Sequence, residues 1–228
     1  MTTNGVLATR AAYALWAPTY DTETVVSALD EIVVPSLTPN LTGRRLLDAG
    51  CGTARRLTAE RLAGVTLAIG IDVTPEMLAR GRARVTSGAS LAASDVRALP
   101  FADSAFDVVW CRLVAGHVRD VANVYAELAR VTQPGGTVIV TDFHADAVQF
   151  GHRRTFKDTN GERHVVENHV HDLSAHTAAG ARAGLHLEAH VDARVGPEVK
   201  HFYDGAHAED RYAQQLGLAL VLAMRFAR

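Results

Sequence analysis

The feature that most constrains the fold of this chain is a regular alternation of short β-type runs with helical stretches, which begins at Leu46. The sequence predicts strands at RLLDAG, VTLAIGID, LAASD, FDVVWCR and TVIVTDF, with helices near 53–63, 74–86 and 119–131. The tripeptide Pro134-Gly135-Gly136 predicts a turn before the fifth strand. Because right-handed crossovers leave few other arrangements, the alternation indicates a parallel sheet with helices on both faces.

Segments on either side of this region extend the pattern. Residues 8–35 carry apolar residues at helical spacing with a break at Pro18, which predicts a short helix and a longer one outside the sheet. After Phe143 the pattern loosens until a helix near 173–183. A strand at 185–191 and the apolar run LALVLAMRF then close the sheet, one of them antiparallel.

The length of 228 residues, with 48% hydrophobic and 21% charged residues, suits one globular α/β domain. We predict a doubly wound, Rossmann-like, seven-stranded, mostly parallel sheet with helices on both faces. Within this single domain, residues 1–43 are expected to form an N-terminal helical lid, 44–143 the cofactor-binding core, and 144–228 the substrate-side segments and closing strands.

Charge and hydropathy narrow the expected partners. The formal net charge is −2 and the basic residues are scattered, apart from short pairs such as Arg153-Arg154, so no nucleic-acid surface is expected. No apolar run reaches the roughly 18 residues that a membrane span needs, and the N-terminal residues lack a signal-peptide pattern. We expect a cytoplasmic protein without a membrane partner, with Cys51 and Cys111 reduced; the oligomeric state stays open.

A glycine-containing turn follows the first core strand, in Gly50-Cys51-Gly52. Glycines there let the backbone approach a ligand closely, and the helix expected from Thr53 would offer free N–H groups. Dinucleotide-binding proteins use a related GxGxxG loop. This chain has Arg55 where that loop needs its last glycine, which disfavours a nicotinamide-dependent dehydrogenase.

Carboxylates stand at the ends of three successive predicted strands. Asp72 comes 72 − 48 = 24 positions after Asp48, where a carboxylate can accept hydrogen bonds from both hydroxyls of a ribose. Asp95 ends the third strand and is placed to accept a hydrogen bond from an adenine amine. Since the carboxyl ends of parallel strands share one sheet edge, the three side chains predict an adenosine site in one crevice.

On these residues the chain resembles the class I S-adenosylmethionine (SAM)-dependent methyltransferases, especially the group that includes the ubiquinone and menaquinone methyltransferases. The resemblance covers about residues 13–143, through LLDAGCGTAR, GIDVTPEML, SDVRALPFADSAFDVV and ELARVTQPGG, and is faint afterwards. One departure is Ala54, which stands where the family often has a third glycine.

The resemblance implies SAM as the cofactor and gives the site residues their roles. Asp48, Gly50 and Gly52 match the positions that hold the methionine part, Asp72 the position for the ribose and Asp95 the position for the adenine amine. Four further residues are expected to contact the cofactor. Cys51, Val73 and Val96 are sequence neighbours of the residues above, and Arg112 ends the fourth predicted strand.

The candidate catalytic residues are Tyr20, His117, His144 and His171. His117 follows the fourth strand, where the family commonly faces the transferring methyl, and a histidine there can act as a general base near neutral pH. A surface or helix-start role for it is equally open. His144 follows the fifth strand and is expected on the acceptor side; Tyr20 is expected over the cofactor, with plain packing as the alternative, and Tyr13 is a weaker candidate.

Ten of the eleven histidines lie from His144 onward. His169 and His171 would share a face of an extended segment, with His164, His176 and several carboxylates nearby, so a metal site has to be considered. No third ligand follows at a recognised spacing, and we predict no metal. The irregular stretches 144–172 and 194–213 are instead expected to enclose the acceptor.

These observations predict transfer of the SAM methyl group to a small-molecule acceptor, chiefly by alignment, with a histidine as an optional base. An alternative is a SAM-binding enzyme with another reaction, such as a cyclase or decarboxylase. A non-catalytic SAM-binding module is a third. Intact cofactor residues do not separate the first two, whereas S-adenosylhomocysteine as a product would.

Overall fold

A computed structural model of the protein describes residues 5–85 and 88–228. The strands are β1 (Val6–Leu7), β2 (Arg45–Ala49), β3 (Leu67–Asp72), β4 (Ala89–Ala93), β5 (Phe106–Arg112), β6 (Thr132–Phe143), β7 (Thr155–Lys157), β8 (Arg163–Val166), β9 (His186–Arg194) and β10 (Ala219–Ala227). The helices are α1 (Thr9–Trp16), α2 (Val25–Leu37), α3 (Pro75–Arg82), α4 (Ala122–Val131), α5 (Ala145–Gln149), α6 (Leu173–Arg182), α7 (Lys200–Asp204) and α8 (Glu209–Gln215).

The central sheet has seven strands in the order β4-β3-β2-β5-β6-β10-β9. All neighbouring pairs are parallel except those of β10, which runs antiparallel to both β6 and β9. This confirms the predicted mostly parallel, doubly wound sheet. The strand order reverses between β2 and β5, and in open α/β sheets such a switch point is where a crevice for ligands opens at the carboxyl ends of the strands.

Successive residues of the central strands pack on opposite faces of the sheet. Leu47 and Val109 join a core cluster with α4 and α6, whereas Leu46 and Val108 join a second cluster with α2 and α3. All four of these side chains are at most 1% exposed. Helices therefore cover both faces, as the near-continuous apolar strands required.

The helix predicted near 53–63 is wrong. The structure has consecutive turns there, with Ala54 in the left-handed region at φ 54°. The N–H groups of Ala54 and Leu57 donate to carbonyls three residues back, Cys51 and Ala54, both at 2.9 Å. A left-handed residue interrupts the helical hydrogen-bond ladder, so no helix start follows the glycine turn.

The turn predicted at Pro134-Gly135-Gly136 lies inside β6. The register of β5 and β6 shifts there, from the pair Phe106 and Thr132 to the pair Val108 and Thr137. The lid is also smaller than expected, because α2 packs on β6, β9 and β10 as part of the core layer. Among the described residues of the N-terminal segment, α1 and the turn that follows it line the crevice.

The stretch after Phe143 contributes two strands, β7 and β8, to a second, small sheet that the sequence did not reveal. β1 pairs in parallel with β8, and β7 pairs antiparallel with β8. Side chains of this sheet, including Phe156 and Val166, pack against Ala12 and Tyr13 of α1. The small sheet thus supports the lid. In the described part of the chain no helix is long and apolar enough to cross a membrane.

Candidate functional site

A cavity of about 450 Å³ opens at the carboxyl ends of β2, β3, β4 and β5 and is covered by α1. It lies at the switch point of the strand order. Its lining includes Thr9, Arg10, Tyr13, Tyr20, Gly50, Gly52, Asp72, Val73, Thr74, Met77, Asp95, Val96, Leu113, Val114, His117 and Glu167. We call it the crevice cavity.

The floor of the crevice cavity is the glycine turn after β2. Gly50 has φ 85°, and a Cβ built on it would overlap the side chain of Val114. Gly52 has φ 58°, and its backbone N–H donates to Asp72 Oδ2 at 2.9 Å. Both positions combine a left-handed backbone with a tight approach, so the sequence needs glycine here.

Asp72 ends β3 and faces the cavity with its carboxylate held from behind. Its Oδ1 accepts a hydrogen bond from Thr74 N at 2.8 Å, and its Oδ2 accepts the one from Gly52. Burial raises the pKa of this carboxyl group, although the backbone N–H groups oppose the shift. Each carboxylate oxygen keeps a further lone pair for a ligand, which suits a pair of ribose hydroxyls.

Asp95 lies at the rim of the cavity, next to Val96. Its carboxylate accepts two-pronged hydrogen bonds from Arg97, with Nη2 to Oδ2 at 2.6 Å and Nε to Oδ1 at 3.0 Å. These bonds from Arg97 lower the pKa of Asp95. An adenine amine would therefore share this carboxylate with Arg97.

Asp48 lies beneath the cavity rather than in its wall. The residue is fully buried, and neither carboxylate oxygen has a hydrogen-bond partner among the described residues. Burial raises its pKa, whereas the nearby charges of Arg56 and Arg112 lower it. An unpartnered buried carboxylate is costly, and the cationic amino group of a methionine part would offset that cost directly or through water.

Two of the expected cofactor contacts use their side chains elsewhere. Arg112 reaches the cavity wall, but its guanidinium is buried against Asp30, with Nη2 to Oδ2 at 2.7 Å. Burial alone would raise the pKa of Asp30, yet Arg56 and Arg112 hold it below its usual range. Cys51 points into the core cluster on the other side of the turn, and burial raises the pKa of its thiol.

Tyr13, His117 and Arg154 form a hydrogen-bonded cluster at the lid side of the cavity. The hydroxyl of Tyr13 lies 2.8 Å from His117 Nε2, and Arg154 Nη1 lies 2.8 Å from the hydroxyl and 2.9 Å from Nε2. His117 Nδ1 lies 3.2 Å from the carbonyl of Glu167. Arg154 can donate to both partners, which leaves Nδ1 to carry the histidine proton.

The surroundings of His117 make it a weak base. Burial, reinforced by the charge of Arg154, lowers the pKa of His117 to about 3. Burial raises the pKa of Tyr13 to about 12. His117 is therefore neutral at physiological pH but only weakly basic. A base with a matched pKa works best, so the geometry favours alignment of an acceptor that already has a free lone pair.

The four candidate catalytic residues do not come together. Tyr20 and His117 line the crevice cavity. His144 instead caps α5 by accepting from Asp146 N at 3.0 Å, and its Nε2 lies 3.4 Å from Asp192. His171 Nε2 contacts the carbonyl of Val118 at 2.8 Å. Neither His144 nor His171 belongs to the cavity lining.

The histidines of the histidine-rich stretch also do not come together at one site. Residues 167–172 form no strand, so the alternation that would have aligned His169 with His171 does not apply. Ligand atoms of Asp158, Glu162 and His164 lie within 4.8 Å of one another. The Asp158 carboxylate there accepts from the backbone N–H groups of Asn160 and Glu162 and lies 3.0 Å from His164 Nε2, so it shapes the β7–β8 turn.

Sequence reasoning missed several parts of the site. Arg154 and Glu167 come from the loosely patterned stretch, where no motif marked them, and Arg154 had been noticed only as half of a basic pair. Thr9 and Arg10 come from the first turn of α1. The spacing of apolar residues shows which face of α1 is buried, but it does not show that its end reaches the cavity.

Comparisons with known proteins agree with this geometry. Residues 47–140 match a methyltransferase domain family, and that range contains the glycine turn and the acidic strand ends. Residues 47–140 are therefore similar to a methyltransferase domain, in agreement with the predicted methyltransferase family and with SAM as the expected cofactor.

Particular relatives and structures refine the match. The chain is 36% identical to a malonyl-acyl carrier protein O-methyltransferase of Erwinia billingiae over 46% of this chain and 41% of that protein. It is 38% identical to a ubiquinone biosynthesis O-methyltransferase of Methylococcus capsulatus over 43% of each chain. The matched part thus spans less than half the length of either relative.

Solved structures extend the likeness to the whole fold. A SAM-dependent methyltransferase from Mesorhizobium loti superposes with a TM-score of 0.69 at 20% identity, covering 88% of this chain and 98% of that one. The cyclase SpnF superposes with a TM-score of 0.66 at 18% identity, covering 100% of this chain and 99% of that one. At these identities the likeness shows the fold alone.

Proposed function

We propose that this protein transfers the methyl group of SAM to a small-molecule acceptor. The observation that carries the proposal is the crevice cavity, where Asp72 is oriented by two backbone N–H groups and the glycine turn leaves room for close approach. SAM supplies an electrophilic methyl group when bound. Asp72 would hold the ribose, Asp95 and Val96 the adenine, and Gly50 and Gly52 with the buried Asp48 the methionine part.

The acceptor would lie on the lid side of the cavity, near Tyr13, Tyr20 and His117. These side chains position the acceptor and exclude water, and holding two reactants in line can supply roughly 7–11 kcal/mol of the barrier. His117 would help to position the acceptor rather than remove a proton from a neutral alcohol, because Arg154 already donates to its Nε2. The oriented cluster therefore supports an alignment mechanism.

A SAM-binding enzyme with a different reaction is the second candidate, because the fold is shared with a cyclase. One experiment separates the two. The purified protein is incubated with methyl-labelled SAM and a panel of small organic acids, amines and phenols, and both S-adenosylhomocysteine and labelled product are measured. Methyl transfer requires both to appear in equal amounts. SAM binding with turnover of a panel compound but no S-adenosylhomocysteine would support the second candidate instead.

A further inference from the structure

A second cavity, of about 150 Å³, lies directly behind one wall of the crevice cavity. Tyr13, Tyr20 and Leu113 line both cavities, so only this wall separates them. The second cavity also contacts Arg55, Arg153 and Arg154, and we call it the arginine pocket. A group bound in it would lie beside the end of the crevice where the acceptor is proposed to bind.

The charged residues in the described lining of the arginine pocket are all positive. Three arginines line it, whereas no Asp or Glu belongs to its described lining. Several arginines elsewhere in the protein are paired with carboxylates, such as Arg56 and Arg112 with Asp30, and Arg84 with Asp21. None of the three pocket arginines forms an ion pair with a described carboxylate, although the net charge of the chain is −2. Uncompensated positive charge in a concave site attracts an anion.

Arg154 has the geometry to bind that anion. Its Nη1 is used by Tyr13, His117 and the carbonyl of Leu113. Its Nε and Nη2 form no hydrogen bond with any described residue. A guanidinium presents its donors in a planar fork, and the unused edge matches the two oxygens of a carboxylate or phosphate.

An orphaned nitrogen in the same pocket points to a ligand as well. His152 contributes to the lining, and its Nε2 is buried without a hydrogen-bond partner in the described part of the chain. Buried polar atoms are nearly always partnered, and leaving one unpartnered destabilises the fold. His152 also lines a neighbouring cavity beside Tyr203 and Arg211, so a ligand oxygen in the arginine pocket or in that cavity would satisfy it.

The rest of the lining combines apolar and aromatic side chains, including Trp16, Val26 and Phe143, with four hydroxyl side chains, those of Thr22, Thr24, Ser27 and Thr155. We propose that the arginine pocket binds the oxyanion of the methyl acceptor, so that the acceptor is a small organic acid or phosphate ester with an apolar body. This inference rests on the proposed function.

Calorimetric titration of the full-length protein tests the proposal, with benzoate as the probe and benzamide as its neutral counterpart. With S-adenosylhomocysteine bound, benzoate should bind and benzamide should not. Arg55→Gln and Arg154→Met should each weaken benzoate binding by roughly 10-fold or more, the effect of losing a charged hydrogen bond. Arg119→Gln is the matched control, since Arg119 is exposed and lies in neither cavity lining. Arg55 lies outside the Tyr13 cluster, so its variant tests the pocket even if Arg154→Met fails to fold.

Three results would overturn the proposal. Benzamide could bind as well as benzoate, or the pocket variants could bind benzoate like the parent. Alternatively, the variants could weaken S-adenosylhomocysteine rather than benzoate, which would show that the arginines hold the carboxylate of the cofactor. Failure of the parent to bind S-adenosylhomocysteine would contradict the proposed function instead, and benzoate titration of the cofactor-free protein would still report on the pocket.

Discussion

At the scale of single residues, Asp72 joins the glycine turn to the wall of the crevice cavity. Its two oxygens accept hydrogen bonds from Gly52 and Thr74, and the same carboxylate faces the crevice cavity. The side chain therefore orders the turn, and under the proposed function it also binds the ribose. Asparagine at this position keeps the shape and one accepting oxygen but removes the charge.

We predict that Asp72→Asn raises the Kd for S-adenosylhomocysteine by roughly 10-fold or more, because charged hydrogen bonds to the ribose are lost. Isothermal titration calorimetry measures the change, and Asp210→Asn serves as the control because Asp210 is exposed on α8. A folded Asp72→Asn protein with the affinity of the parent would contradict the ribose assignment.

His117 gives a second prediction at this scale, on acid stability. Its folded pKa of about 3 lies below the ordinary value of about 6.5. Between these values the unfolded chain takes up a proton at this residue and the folded protein does not, so stability increases with pH in that window. The contribution of neutral His117 is complete above about pH 6.5 and is lost as the pH falls toward 3.

His117→Gln removes this titration, so its free energy of unfolding should fall less steeply than that of the parent between pH 6.5 and 4. Urea unfolding at a series of pH values measures both slopes. The exposed His186 provides the matched variant, His186→Gln, which should follow the parent. The buried-imidazole assignment fails if His117→Gln and the parent lose stability in parallel.

At the scale of elements, the lid is joined to the core by a polar latch. Asp21, just after the turn that ends α1, accepts hydrogen bonds from Arg84 at 2.8 Å and from the hydroxyl of Thr53. Arg84 follows α3 and Thr53 follows the glycine turn. The latch therefore connects the segment that carries Tyr20 to the glycine turn and to the residues that follow α3.

Asp21→Asn should accelerate the dissociation of S-adenosylhomocysteine by about 2- to 5-fold, because partly exposed ion pairs contribute up to about 1 kcal/mol. Stopped-flow fluorescence can follow it through Trp16, which packs against Tyr20 with ring centroids 5.0 Å apart. Asp204→Asn is the control, since it removes the exposed ion pair with Lys200 on α7, away from the crevice lining. Equal dissociation rates for Asp21→Asn and the parent would show that the latch does not retain the ligand.

At the scale of the whole molecule, β10 completes the sheet although it comes last in the chain. It lies between β6 and β9 and runs antiparallel to both. Its residues from Ala219 to Met224 are all at most 2% exposed. β10 is therefore an integral part of the buried core.

Val221→Asp places a carboxylate in this strand and should lower the free energy of unfolding by roughly 3 kcal/mol or more. Val170→Asp makes the same change at a side chain that is 45% exposed and should change stability little. Chemical denaturation followed by circular dichroism compares the two variants. Similar stabilities would contradict the central position of β10.

The sequence by itself determined the sheet, the glycine turn and the acidic strand ends, because these depend on local periodicity and on residue types that a short backbone segment requires. Apolar runs of strand length predict strands, and Gly50 and Gly52 predict a tight turn, without any information about residues far away in the sequence. The helix near 53–63 failed for the opposite reason, since the apolar spacing was helical but Ala54 takes a left-handed conformation in the packed turn.

Only the tertiary structure decided which side chains surround the proposed acceptor. Tyr13, His117 and Arg154 are separated by up to 141 positions, yet they share hydrogen bonds because α1 packs on a small sheet that joins β1 to β8. His144 and His171 were also predicted to be catalytic, but both lie outside the crevice cavity. His144 accepts a hydrogen bond from Asp146 N, and His171 contacts the carbonyl of Val118. Contacts between distant segments depend on the packing of the whole chain, and no local pattern in the sequence records them.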